Sequence, residues 1–282
     1  MTAVRVGFVG AGQLGGPMVE RLVAAGHAVS VFARRAEVAA SWRARRVPAT
    51  ADAAELAAGS DVVIVCVYDE VQLSDLVLGS GAAGGGAAGG GLAPAMRPGT
   101  VLVSHTTSGL AVTDEVAEAL RARGVAFVDA PVSGTADHIR RGELTVLLGG
   151  AAEALDRVEP VLAAYCSQRL RTGAAGTATR VKLVNNLWFA ANVQLAAMAV
   201  ELGGELGIDE QTLTECISHC SANSAALGYL RQFGSVDELA ARVGGYLRKD
   251  VAAARDSANA AGVGLGMLGT IATTGPLEAL HP

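Results

Sequence analysis

Residues 4–16 read VRVGFVGAGQLGG, and the fold is decided by how this stretch is understood. A short run of alternating apolar residues fits a β-strand, and the PMVERLVAAG that follows has helical spacing. Between them lies Gly10-Ala11-Gly12-Gln13-Leu14-Gly15, a G-x-G-x-x-G. In that context each glycine has a purpose. Gly10 permits a tight turn, Gly12 lets the backbone approach a pyrophosphate, and Gly15 lets the helix pack on the strand. The N–H groups at the helix start then face the phosphates. With 36 glycines among 282 residues the hexapeptide alone would arise by accident, so the strand before it and the helix after it carry the inference.

The next strand, HAVSVFA, narrows the choice of dinucleotide. A carboxylate about 20 residues beyond the glycines would accept hydrogen bonds from the ribose hydroxyls of NAD. Ala33 stands there instead, followed by Arg34 and Arg35. Guanidinium groups bind a 2′-phosphate in a fork where a carboxylate would repel it, so NADP(H) is preferred over NAD(H).

Further along, apolar runs (DVVIVCV, GTVLVSHT, VAFVDAPV, LTVLLGG, QRLRTG) alternate with helical segments such as TDEVAEALRARG and AEALDRVEPVLAAY. Continuous apolar strands joined by crossovers predict an α/β fold with a mainly parallel sheet covered on both faces. This Rossmann domain is expected over residues 1–173, with a second domain over 174–282. Residues 79–94, GSGAAGGGAAGGGLAP, are low-complexity and predict a surface loop.

Composition excludes several classes. Half of the residues are hydrophobic and 17% charged, which suits packed domains. A net charge of −5 gives no basic footprint for nucleic acid. No uninterrupted apolar run reaches about 18 residues, so no membrane association is expected. The N-terminus lacks the features of a secretion signal. Cys66, Cys166, Cys216 and Cys220 have no disulfide-framework spacing, which fits a cytoplasmic protein. CISHC lacks a fourth ligand nearby, and no metal is expected.

Three segments carry candidate chemistry. Ser133, Gly134 and Thr135 follow the VAFVDAPV strand, where hydroxyls and loop amides suit a substrate carboxylate. In RVKLVNN, Lys182, Asn185 and Asn186 stand at i, i+3 and i+4, so a helix turns all three the same way, onto a face that can line a cleft. With Thr177 or Thr179 as N-cap, Lys182 falls within about two turns of the helix start, where the dipole and desolvation lower its pKa. The third segment is Lys249-Asp250 in YLRKDVAAARDSANAAG.

Together, GFVGAGQLGGPM, DAPVSG, GTATRVKLVNN and KD, in this order, resemble the β-hydroxyacid dehydrogenase family over about residues 4 to 265. The resemblance implies that the second domain is all-helical, is entered by a long helix and assembles into a homodimer or homotetramer. It implies that Lys182 is the catalytic acid/base and that Asn186 helps to hold a small-molecule substrate. Ser133, Gly134 and Thr135 fall on the substrate loop; Val67, Tyr68, Thr107 and Lys249 fall on cofactor-contacting positions. The activity implied is NADP(H)-dependent hydride transfer between nicotinamide and a β-hydroxyacid or its semialdehyde. An imine reductase shares the architecture but commonly carries Asp or Tyr at the position of Lys182, and a non-catalytic NADP-binding scaffold would lack the lysine. Thr135 adds a branched side chain where the family commonly has glycine, and Ile139 replaces a small residue. The divergent segment after Gly262 is expected to cover less of the cleft and admit a bulkier substrate.

Overall fold

The computed structural model describes residues 4–79 and 91–282. The body of the glycine-rich stretch expected as a surface loop, residues 80–90, lies outside the described residues. Its flanks are ordered: Gly79 caps a helix in the left-handed conformation, and Leu92–Ala95 is helical. Two compact units are present, Met1–Val181 and Lys182–Pro282.

The first unit is built on β1 (Arg5–Val9), β2 (Ala28–Phe32), β3 (Ala49–Thr50), β4 (Val62–Val65), β5 (Val101–Ser104) and β6 (Ala126–Asp129). They lie in the order β3-β2-β1-β4-β5-β6, every neighbouring pair parallel. Beyond β6 the sheet continues with β7 (Val132–Ser133), β8 (Leu144–Gly149) and β9 (Cys166–Gly173). Here β8 runs antiparallel to β6 and β7 and parallel to β9. The sheet is therefore mainly parallel, as the apolar strands predict.

Period-two alternation divides the strand residues between two cores. Val6, Phe8, Val62, Ile64, Val101 and Val103 belong to one cluster, while Val9, Val63, Val65 and Leu102 belong to the other. Helices α1 (Gly15–Ala24), α2 (Ala36–Ala44), α7 (Ala136–Arg141) and α8 (Ala152–Leu162) supply the first cluster. The second is supplied by α3 (Ala53–Gly59), α4 (Glu70–Leu78), α5 (Leu92–Ala95) and α6 (Leu110–Arg121). Both faces are thus dry, which is why these strands carry no polar alternation.

One buried polar group ties three elements of this unit together. His105, just past β5, donates from Nδ1 to the Ala130 carbonyl at 2.6 Å, so its Nε2 must accept the Tyr165 hydroxyl at 2.7 Å. Burial pushes this imidazole down to about 4, so it is neutral at neutral pH and keeps that tautomer.

The long helix α9 (Thr177–Glu205) starts differently from the sequence expectation. Neither Thr177 nor Thr179 serves as N-cap. Instead Asp129, at the end of β6, accepts the N–H groups of Gly176 and Thr179 at 2.7 Å each. Burial raises the pKa of this carboxyl and the two N–H bonds oppose the rise. Thr177 turns its hydroxyl to the Ala174 carbonyl at 2.7 Å. A carboxylate from a distant strand thus does what a local hydroxyl was expected to do.

The second unit contains the rest of α9 with α10 (Glu210–Ser218), α11 (Ala225–Phe233), α12 (Val236–Ala260), α13 (Gly266–Thr274) and a 3₁₀ turn at Glu278–Leu280. Among the described residues it is wholly helical. Fully buried Gln194 on α9 donates to the Leu277 carbonyl at 3.1 Å and accepts its N–H at 2.8 Å. By length and composition α9 could cross a membrane, with a mean hydropathy of 1.3 in its most apolar window. Yet its polar Asn186 and Gln194 are buried and bonded inside the unit.

Candidate active site

Strand register brings the predicted nucleotide-binding positions to one edge. Val9 pairs with Phe32 and with Val65, Val65 with Ser104, and Ser104 with Asp129, so five strands end level. Residues 10–15, 34–35, 67–68, 107 and 133–135 each follow one of these ends within six residues. The chain order reverses between β1 and β4, and the crevice outside the carboxyl ends at such a point is where ligands of open α/β sheets bind.

The three motif glycines differ in what surrounds them. Gly10 has φ of 91°, and a Cβ there would stand 2.2 Å from the Cys66 carbonyl oxygen. A Cβ on Gly15 would stand 2.2 Å from the Gly10 oxygen and 2.8 Å from the Phe8 ring. Packing of the chain on itself explains both. A Cβ on Gly12, by contrast, would meet nothing within 4 Å. No protein atom requires that position to be bare, whereas a phosphate lying against the backbone would. The start of α1 also has no side-chain cap, which suits an anion as the partner of its first N–H groups. Beside it a groove of ≈ 350 Å³ is lined by Ala11, Gly12, Glu37, Val38, Trp42 and Arg45 among others.

At the end of β2, Ala33 is buried while Arg34 and Arg35 are exposed. Arg35 lies 3.7 Å from Glu37, a solvated contact worth little, and among the described residues Arg34 has no ion pair. Past β4, the Val67 N–H donates to the Thr106 hydroxyl at 3.1 Å, which in turn donates to the Val67 carbonyl at 3.2 Å. Tyr68 is half exposed and Thr107 half-buried. Thr106, the neighbour of the candidate Thr107, thus pins the loop that follows β4. Ser133, Gly134 and Thr135 are exposed, and Gly134 has φ of 135° with Leu144 packed where a side chain would go.

In the second unit, Lys182, Asn186 and Lys249 gather around Asp250, the residue of the Lys249-Asp250 pair to which the sequence assigns no role. Asn186 is buried and donates to Asp250 Oδ2 at 2.5 Å, while the Asn185 side-chain amide donates to Asn186 Oδ1 at 3.0 Å. Lys249 Nζ lies 3.1 Å from Asp250 Oδ1. That contact is off the hydrogen-bonding direction, so Oδ1 keeps an unused lone pair although it is buried. Burial holds the Lys182 pKa below the ordinary lysine value; the charge of Asp250 pulls it back up, and that of Lys249 pushes it further down. An amine so placed exchanges a proton nearer neutrality than a solvated lysine does. Among the described residues no group of three His, Cys, Asp or Glu side chains is placed to hold a metal ion.

Known proteins match both units. Residues 5–175 match the family model described as the NAD binding domain of 6-phosphogluconate dehydrogenase. Residues 176–275 match the one described as NAD-binding of NADP-dependent 3-hydroxyisobutyrate dehydrogenase. The L-threonate dehydrogenase of Cupriavidus necator is 32% identical over 220 residues, 78% of this chain and 71% of that protein. The 3-hydroxyisobutyrate dehydrogenase of Pseudomonas aeruginosa is 29% identical over 86% of this chain and 78% of its own length. Among solved structures, a Mycobacterium tuberculosis 3-hydroxyisobutyrate dehydrogenase with L-serine superposes with a TM-score of 0.81 at 27% identity, covering 96% of this chain and 91% of that one.

The glycines should part company on mutation. Gly12→Ala is expected to leave stability within about 0.5 kcal/mol of the parent while weakening NADPH binding in a fluorescence titration. Gly15→Ala is expected to cost about 2 kcal/mol of stability in denaturant unfolding, because its Cβ has no room. Wild-type NADPH affinity in Gly12→Ala would remove the phosphate reading of the loop.

Proposed function

Since the chain belongs to the β-hydroxyacid dehydrogenase family and is a dehydrogenase acting on CH–OH groups, we propose that it moves hydride between NADP(H) and a carboxylate-bearing hydroxy acid or its semialdehyde, with Lys182 as acid/base. The observation that carries this reading is the cluster of half-buried Lys182 with buried Asn186 and Asp250, in which desolvation lowers the lysine's pKa. Bound NADP supplies the nicotinamide carbon that takes up or gives back the hydride. Everything else falls to the chain. In oxidation the neutral Lys182 amine takes the proton of the substrate hydroxyl; in reduction its ammonium returns that proton to the carbonyl oxygen. Asn186, fixed by Asp250, orients the substrate, and the loop of Ser133, Gly134 and Thr135 takes its carboxylate. Gly10 to Gly15, through Ala11, Gln13 and Leu14, hold the pyrophosphate, with Val67, Tyr68, Thr107 and Lys249 as further cofactor contacts.

Preference for NADP(H) is supported by Arg34 and Arg35 following Ala33, which stands at the strand end in place of the carboxylate that would repel a 2′-phosphate. The presence of Lys182 speaks against an imine reductase and against a non-catalytic scaffold. For assembly, Val184, Trp188, Leu195 and Leu202 recur along α9 at spacings of four and seven, with Leu206 in the turn just past its end, and all are exposed, Trp188 at 61% and Leu206 at 70%. An apolar helical face of that length supports burial against a second copy, in a homodimer or homotetramer. We read the protein as cytoplasmic.

Lys182→Ala should lower turnover of L-threonate or 3-hydroxyisobutyrate by about a thousandfold while leaving NADPH binding nearly intact; an active variant ends the assignment. In the parent, oxidation should quicken as pH rises through the Lys182 pKa, because the base must be neutral, with a midpoint below the ordinary lysine value. Asp250→Asn keeps an acceptor for Asn186 but removes the charge that pulls this pKa up, so its midpoint moves to lower pH; a shift upward contradicts the scheme. The ratio of kcat/KM for NADPH over NADH should exceed one, and replacing Arg34 and Arg35 by Ala should shrink it by about tenfold. Light scattering should give a multiple of the 28.4 kDa chain mass, and a lone 28.4 kDa species rejects the assembly.

A further inference from the structure

The loop Ser133-Gly134-Thr135 ends on α7, and its last residue is gripped by a side chain one turn later. His138 Nδ1 lies 3.1 Å from the Thr135 backbone nitrogen and 2.9 Å from the Thr135 hydroxyl. A main-chain N–H can only donate, so Nδ1 must be unprotonated and accepting. The arrangement is a capping box, the motif in which a Glu or Gln at the third helical position ordinarily accepts from the N-cap N–H, but with an imidazole in that place. The ring also packs on the loop, since a Cβ added to Gly134 would come within 3.3 Å of His138 Cβ and 3.4 Å of its Cγ.

Other charged groups near His138 are engaged elsewhere. On α7 itself Arg140 pairs with Asp137 at 2.7 Å, and Arg141 pairs at 2.6 Å with Glu143, in the turn that follows. From α1, which packs on α7, Arg21 donates to the Ala164 carbonyl at 2.8 Å and Glu20 pairs with Arg45 at 2.8 Å. The two donors of Thr135 are therefore what Nδ1 serves. Adding a proton to Nδ1 would set a donor against the main-chain N–H. The hydroxyl can rotate to accept; the N–H cannot reverse.

We propose that His138 is a positioning residue for substrate: it fixes the backbone of Ser133-Gly134-Thr135 and ties the branched Thr135 side chain back onto α7, so that this side chain does not lie across the loop where the substrate carboxylate is taken. The inference rests on reading residues 133–135 as the substrate loop. It explains how threonine is accommodated at a position where bulk would otherwise obstruct the carboxylate. It also makes substrate affinity, rather than the chemical step, the quantity that depends on His138.

The test is steady-state kinetics of the full chain with NADP+ and L-threonate or 3-hydroxyisobutyrate, whichever turns over faster. His138→Ala should raise KM about fivefold with kcat changed less than about twofold. His138→Gln supplies the amide acceptor of the usual capping box, so it should keep the parental KM. Ser133→Ala serves as the control for the loop and should raise KM. If Ser133→Ala raises KM while His138→Ala matches the parent, or if His138→Gln raises KM as far as His138→Ala does, the role of His138 is overturned and the loop reading stands. A Ser133→Ala enzyme with parental KM, or turnover of neither acid, overturns both.

Discussion

The nucleotide half of this molecule depends on a close approach of two backbones. The turn after β1 comes so near the end of β4 that the Cys66 carbonyl oxygen occupies the space where residue 10 would carry a side chain, and the Gly10 oxygen does the same to residue 15. Only glycines allow β1, its turn and α1 to close up in this way. Once they do, α1 lies against the sheet with its first N–H groups at the point where strand order reverses. The level ends of β1, β2, β4, β5 and β6 then place every loop that carries a candidate residue of this unit along the same edge.

That much was legible in the sequence, for a physical reason. Strands buried on both faces are uninterrupted apolar runs, and each run is a local signal. The glycine motif is local too. Less legible was the far end of the sheet, where β7 is two residues long and β8 turns antiparallel; nothing in LTVLLGG states its direction. Two-residue strands such as β3 have too few side chains to declare themselves.

The candidate site divides along the same line. Lys182 and Asn186 stand out because four residues make one helical turn and polar groups there interrupt an apolar pattern. Asp129 and Asp250 give no such signal, since their partners lie 50 and 64 residues away in the chain. A buried carboxylate is expensive unless donors meet it, and which donors do so is a property of the fold. Asp129 illustrates the error this invites: the threonines near the start of α9 looked like caps by position, yet the helix is held by a group no local rule could supply. His138 is an intermediate case. Its spacing from Thr135 is that of a capping box, but imidazole is not the residue the motif leads one to look for.

Gln194 offers a last point. Its amide meets both the N–H and the carbonyl of Leu277, as a neighbouring strand would, and the packing of Gly275 against it leaves no space for a larger residue. Because the latch grips main chain, residue 277 is free to drift among all types except proline, whereas position 194 must keep one amide of one length. Natural variation across this pair should accordingly be lopsided, with an invariant glutamine facing a changeable partner.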